Sequence, residues 1–213
     1  MSTHQDLLKH FEDVQNRMDQ AIEQFPWENR SAYLSWLRQT YEYAKNSTRI
    51  LAITAGFLTE TKYSNRFLQH TVEEKGHEKL LENDTKHLSS TLAQLKAYPE
   101  AKAFHQSLYY SMLYDDPMAI FGWVIMLEGI ACRKGGYIYD RVVKAHGPKG
   151  ASFLKVHATE DIKHIESALA TLATITDSER LVVIDAMEMY ADLYCLVLNR
   201  VTAESSKQTF QAA

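Results

Sequence analysis

A chain of 213 residues with a net charge of −4 has the length of one domain and lacks the dense basic stripe expected of a nucleic-acid partner. Its 46% hydrophobic content can fill a large core, yet no apolar run reaches the ~20 residues of a membrane span. The opening MSTHQDLLKHFEDV is charged and amphipathic, without the apolar centre of a signal peptide, so a cytoplasmic protein is expected.

Helical periodicity runs almost throughout, and only 8 Gly and 4 Pro interrupt it. Leu7, Phe11, Val14, Met18 and Ile22 mark an amphipathic first helix that ends near Pro26. A second helix is predicted from about Asn29 to Leu58, and a third from about Tyr63 to Leu95. Beyond Pro99 a short helix reaches about Met112. Asp115-Asp116-Pro117 is a start signal for a helix reaching about Ala145, in which Gly135-Gly136 could place a kink. His146-Gly147-Pro148 closes it, and the next helix runs from near Lys149 to about Ala173. Thr176-Asp177-Ser178-Glu179 reads as the N-cap of a last helix to about Thr202, with residues 204–213 as a frayed polar tail. Cys132 and Cys195 fall in predicted helices and read as small core residues, not a disulfide framework. The expected fold is one all-α domain over residues 1–213, a bundle of about seven helices.

Two triplets of ligand-type residues share one spacing. His70, Glu74 and His77 read H-x3-E-x2-H, and His157, Asp161 and His164 read H-x3-D-x2-H. At about 100° per residue, offsets of four and seven return to one helix face, so each triplet would span an arc of roughly 60°. Imidazole nitrogen with carboxylate oxygen suits iron or manganese, and helical bundles build dinuclear sites from such residues on facing helices. Glu128 lies in FGWVIMLEGIAC, where a carboxylate is costly unless paired or coordinated. On its side of the helix, Val124, Cys132, Gly135 and Tyr139 leave either room for a substrate or close contact with another helix. Glu42 sits mid-helix with Asn46 and Arg49 on its side, as a ligand or as the partner of a basic neighbour. Tyr41 and Tyr139 are the first tyrosine candidates for a pocket wall, and Arg49, Arg133 or Arg141 could hold a substrate carboxylate.

The segments EEKGHEKLLENDTKHL, MLEGIACRKGGYIYDRV and FLKVHATEDIKHIESAL resemble the haem-oxygenase-like di-metal oxidases, and the resemblance covers about Glu42 to Leu198. It implies a haem-oxygenase-like helical fold holding two first-row metal ions, iron first with manganese as the substitute, and no haem. It implies metal ligands at Glu42, Glu74, His77, Glu128, His157, Asp161 and His164. Some members carry a carboxylate at the position held here by His70, so Glu74 is the expected ligand and His70 the alternative. The implied chemistry is O2-dependent oxidation of a small organic acid, an amine or amino acid, or a fatty acyl substrate. A homodimer is implied by the resemblance alone.

Two other readings compete. A thiamine-salvage-type hydrolase on this fold needs a nucleophilic Cys followed four residues later by Tyr. Here Cys132 is followed at that offset by Gly136, with Tyr137 one residue further on. A metal-handling protein without an organic substrate shares every ligand, and a cavity beside the metals would separate the two.

Overall fold

The computed structural model describes the backbone of residues 3–211 and the side chains of residues 5–159 and 164–207. Eight α-helices follow one another, α1 (Thr3–Gln24), α2 (Arg30–Phe57), α3 (Thr61–Glu73), α4 (His77–His87), α5 (Pro99–Tyr110), α6 (Ala119–His146), α7 (Ser152–Leu172) and α8 (Asp177–Gln211). Among the described residues there is no strand and no helix long and apolar enough to cross a membrane. The apolar stripe of α1 buries Leu7, Val14, Met18 and Ile22 completely. The central α6 packs on α1, α5, α7 and α8, while α2 packs on α3, α4, α5 and α8.

Local chemistry sets most helix boundaries. The Asn29 side chain accepts from the amides of Ser31 and Ala32 to start α2. Asp116 accepts from the Met118 amide ahead of α6. Thr176 and Glu179 exchange hydrogen bonds as a capping box at the head of α8. Helix α6 closes at Gly147, whose φ of +83° favours a residue without a side chain.

Four differences from the sequence expectations bear on the architecture. The predicted third helix is two, because the chain turns at Glu74-Lys75-Gly76, where Gly76 takes a φ of +97°. That split raises the count from about seven helices to eight. Helix α6 runs unbroken through Gly135-Gly136. Gly135 serves close packing instead, since a Cβ there would lie 3.0 Å from the Cβ of Ala158 on α7. The expected frayed tail is helical to Gln211. Arg200 and Lys207 pair with Glu204, and the buried Ser205 hydroxyl bonds the Val201 carbonyl, so this polar stretch supports its own helix.

One tie between elements positions the site. Asp84 on α4 is fully buried, and its carboxylate accepts from the amides of Ser152 and Phe153 and from the Ser152 hydroxyl. A side chain of one helix therefore caps the N-terminus of another. Both helices carry candidate ligands, His77 at the head of α4 and His157 in the second turn of α7.

Candidate metal centre

Helices α3 and α4 bring their histidines against those of α7 with the residue numbers running in opposite directions. The rings of His70 and His164 lie 4.9 Å apart, as do those of His77 and His157. Each triplet is thus split between two groups. His70, Glu128 and His164 form one, and Glu74, His77 and His157 form the other, with ligand atoms of each group within 4.8 Å of one another. In the first, Glu128 stands 3.5 Å from His70 Nε2 and 3.8 Å from His164 Nδ1. In the second, Glu74 stands 3.4 Å from His77 Nδ1 and 3.8 Å from His157 Nε2. His70 Nε2 is also 3.8 Å from Glu74, so this imidazole lies between the two carboxylates.

The first triplet does not share one helix face as its spacing predicted. His70 is on α3, Glu74 follows the end of that helix, and His77 opens α4 after the Gly76 turn. The choice between Glu74 and His70 also dissolves, because the fold brings both into place in different groups. The side chain of Asp161 lies outside the described residues.

Glu42 is brought to neither group. It is buried 4% exposed and ion-paired to Arg38 and to Lys45, the latter at 3.0 Å. Burial alone would raise its carboxyl, but Lys45 and Arg38 hold it below the ordinary value. From α2 it is Ser47 that approaches Glu74, at 3.4 Å.

Glu74 is the most perturbed carboxylate of the site. Burial would push it up, yet hydrogen bonds from His70 and His77 and the proximity of His157 hold it well below the usual carboxylate range. Groups around the ligands orient them. His157 Nδ1 donates to the Phe153 carbonyl at 2.9 Å, which leaves Nε2 facing Glu74. Glu73 lies 3.2 Å from His164 Nε2, which leaves Nδ1 facing Glu128. Arg66 places its guanidinium 3.7 Å from Glu128 and bonds the Ser167 hydroxyl and the His164 carbonyl. Glu73 and Arg66 were not singled out by sequence; they fall one residue before Glu74 and four before His70, so proximity along the helix was the available signal.

A cavity of about 110 Å³ opens beside both groups, with His70, Glu74, Glu128 and His157 in its wall. Of the pocket residues expected from sequence, Val124 and Gly135 line it, whereas Tyr41, Cys132 and Tyr139 do not. Tyr41 turns to the far side of α2 and bonds Glu82, Cys132 is exposed, and Tyr139 packs against the core from outside the cavity. The expectation of two buried cysteines fails with it, since Cys195 is only half-buried. Arg133 pairs with Glu12 and Asp19, Arg141 with Glu28, and Arg49 is exposed, so none of the three reaches the cavity.

Residues 34–194 match the family of iron-containing redox enzymes with a haem-oxygenase-like fold. The chain belongs to that family. Solved structures of three distant proteins share the fold. A domain of unknown function with a haem-oxygenase-like fold from Shewanella denitrificans has 21% identity and a TM-score of 0.83, covering 96% of this chain and 94% of its own. A TenA homologue from Pseudomonas syringae pv. tomato has 14% identity and a TM-score of 0.80, covering 94% and 92%. A CADD-like protein of unknown function from Nostoc punctiforme has 14% identity and a TM-score of 0.63, covering 92% and 98%. A comparison with curated proteins finds no significant match.

In this iron-containing family the donor set fits the metal. Each group offers two imidazoles and one carboxylate, the composition of the 2-His-1-carboxylate sites that hold non-haem iron with open positions. Neither contains a thiolate that would favour zinc or an iron–sulfur cluster.

Proposed function

We propose that the protein is a non-haem di-metal oxidase or oxygenase that uses O2 to oxidise a small organic substrate, with iron as the first-choice metal. The observation carrying this reading is that two 2-His-1-carboxylate groups share the wall of one largely apolar cavity. His70, Glu128 and His164 would hold one ion, and Glu74, His77 and His157 the other. Bound there, a pair of ferrous ions would supply O2 activation.

The protein's own share follows from the geometry. Glu73 and the Phe153 carbonyl fix which nitrogens of His164 and His157 face inward. The Arg66 guanidinium offsets part of the carboxylate charge at Glu128. Ile130, Ile138, Leu51, Leu154 and Phe153 give the cavity an apolar wall beside the ligand groups, a surrounding of low polarity in which electrostatic interactions are stronger than in water. A purely metal-handling protein has no use for an apolar chamber beside its ligands, and the exposed Cys132 lies away from that chamber, unlike a hydrolytic nucleophile.

The test is elemental analysis of anaerobically iron-loaded protein together with O2 consumption. Wild type is expected to hold two iron equivalents and to consume O2. His164→Ala and Glu128→Ala are each expected to lose at least one equivalent while keeping helical circular dichroism. Full iron content in both variants would sink the assignment.

A further inference from the structure

Resting on that reading, we propose that Ser47 of α2 is a positioning residue of the metal centre. Its hydroxyl holds one oxygen of Glu74 and so turns the other toward the ion of the Glu74, His77 and His157 group.

The two oxygens of Glu74 meet different partners. His77 approaches Oε1 at 3.4 Å, and His70 and His157 approach the same oxygen at 3.8 Å. The Ser47 hydroxyl approaches Oε2, at 3.4 Å. Glu128 is arranged in the same way. Its Oε1 faces His70 at 3.5 Å and His164 at 3.8 Å, while its Oε2 faces the Arg66 guanidinium at 3.7 Å. In both groups one carboxylate oxygen is directed to the histidines and the other to a donor from a residue outside the group. The last torsion of a glutamate is broad, so a carboxylate without such a donor samples many orientations. A donor at one oxygen selects among them, which is how residues beyond the ligands tune a metal site.

The fold puts Ser47 in place for this. Helix α2 packs on α3 and α4, between which Glu74 lies. Ser47 is buried and shares the cavity wall with Glu74, and no other serine or threonine lines that wall among the described residues. Its hydroxyl also bonds the Ala44 carbonyl at 2.9 Å, a common habit of serine inside a helix. That bond accounts for a buried serine but not for its place at Oε2 of Glu74. Rotation about the Cβ–Oγ bond carries the proton from the carbonyl to the carboxylate, and the charge-assisted bond is the stronger of the two. Glu42, five residues earlier, is taken up by Arg38 and Lys45. Helix α2 thus serves the metal centre through a hydroxyl that orients a ligand.

The test is Co(II) titration of metal-free protein, followed by visible absorption, with circular dichroism to verify that each variant keeps its helices. Wild type is expected to take up two equivalents. Ser47→Ala is expected to weaken one of them about tenfold, the lower end for a group that orients a ligand, to shift the absorption of that equivalent, and to leave the other as it was. Ser47→Thr, which returns the hydroxyl, is expected to restore the affinity. In a Glu74→Ala background the partner is gone, and adding Ser47→Ala is expected to change the remaining affinity by less than about twofold. Weakening of the same size with and without Glu74 would show a serine that acts on the bundle at large, and overturns the role. Two equivalents of unchanged affinity in Ser47→Ala defeat this proposal alone, whereas a wild type that takes up no cobalt defeats the di-metal reading and this proposal with it.

Discussion

Two buried glutamates, Glu42 and Glu128, are 4% and 5% exposed, yet they do different things. Glu128 has no basic residue three or four positions away on its helix, and it meets histidines from α3 and α7. Glu42 has Arg38 at i−4 and Lys45 at i+3, and both take hold of it. We predict that Glu42→Gln leaves metal content unchanged and costs about 1–3 kcal/mol at pH 7, toward the low end because Lys45 is partly open to solvent. The sign of the pH dependence follows from the lowered carboxyl. A depressed folded-state pKa stabilises above the ordinary carboxylate value of ~4.3, and that stability is lost as pH falls through the folded value. Denaturant melts of wild type and variant should therefore separate at pH 7 and converge at acid pH. Loss of a metal equivalent in Glu42→Gln would return this residue to the site. The distinction was legible in the sequence, since Arg38 and Lys45 stand at contact spacing and Glu128 is flanked by apolar residues. The resemblance outweighed that local signal.

At the scale of elements, the seven-residue step from His70 to His77 equals that from His157 to His164. Packed in opposite directions, two equal steps pair the first histidine of one segment with the last of the other, which is the pairing seen. The repeated spacing was therefore visible in the sequence, but its meaning was not. A glycine within EEKGHEK reads as one tolerated in a helix, and only tertiary packing makes the left-handed turn at Gly76 the better choice. The tie between Asp84 and the head of α7 was equally hidden, because 68 residues separate Asp84 from Ser152. That tie fixes α4 against α7 close to His77 and His157 and away from His70 and His164. Asp84→Asn turns an amide N–H toward a backbone donor, and the lost cap should cost about 1–2 kcal/mol. We predict that it selectively weakens metal binding by Glu74, His77 and His157, so that Co(II) titration shows one strong equivalent where wild type shows two. Equal weakening of both equivalents, or of neither, would remove Asp84 from this positioning role.

At the scale of the molecule, the candidate ligands come from α3, α4, α6 and α7 and the turn between α3 and α4, while the described residues of α1, α2, α5 and α8 close the core and contribute to neither ligand group. The large buried side chains Trp27, Tyr33, Phe104, Phe121 and Tyr190 lie outside both ligand groups. Apolar burial on this scale does not depend on a cation. The metal-free protein should then fold cooperatively, unlike small metallo-domains that unfold without their ion. Metals should still add stability, because they join four helices in the native state and find no preformed site in the unfolded chain. At a free metal concentration of about 100 Kd the increment is about 2.7 kcal/mol per site. In a chain of this length that raises Tm by roughly 5–10 °C. Acid removes the increment by a separate route from Glu42, because ligating imidazoles must be neutral and each proton competes with the ion. Thermal melts with Mn(II) and with chelator should therefore differ at pH 7.5 and coincide near pH 5, where metal-free protein keeps its helical signal. A chelated protein already unfolded at pH 7.5 would mean that the carboxylates and imidazoles of the site repel or strain the bundle more than its core can offset. The two ligand groups would then belong to the folding of the chain as much as to its chemistry.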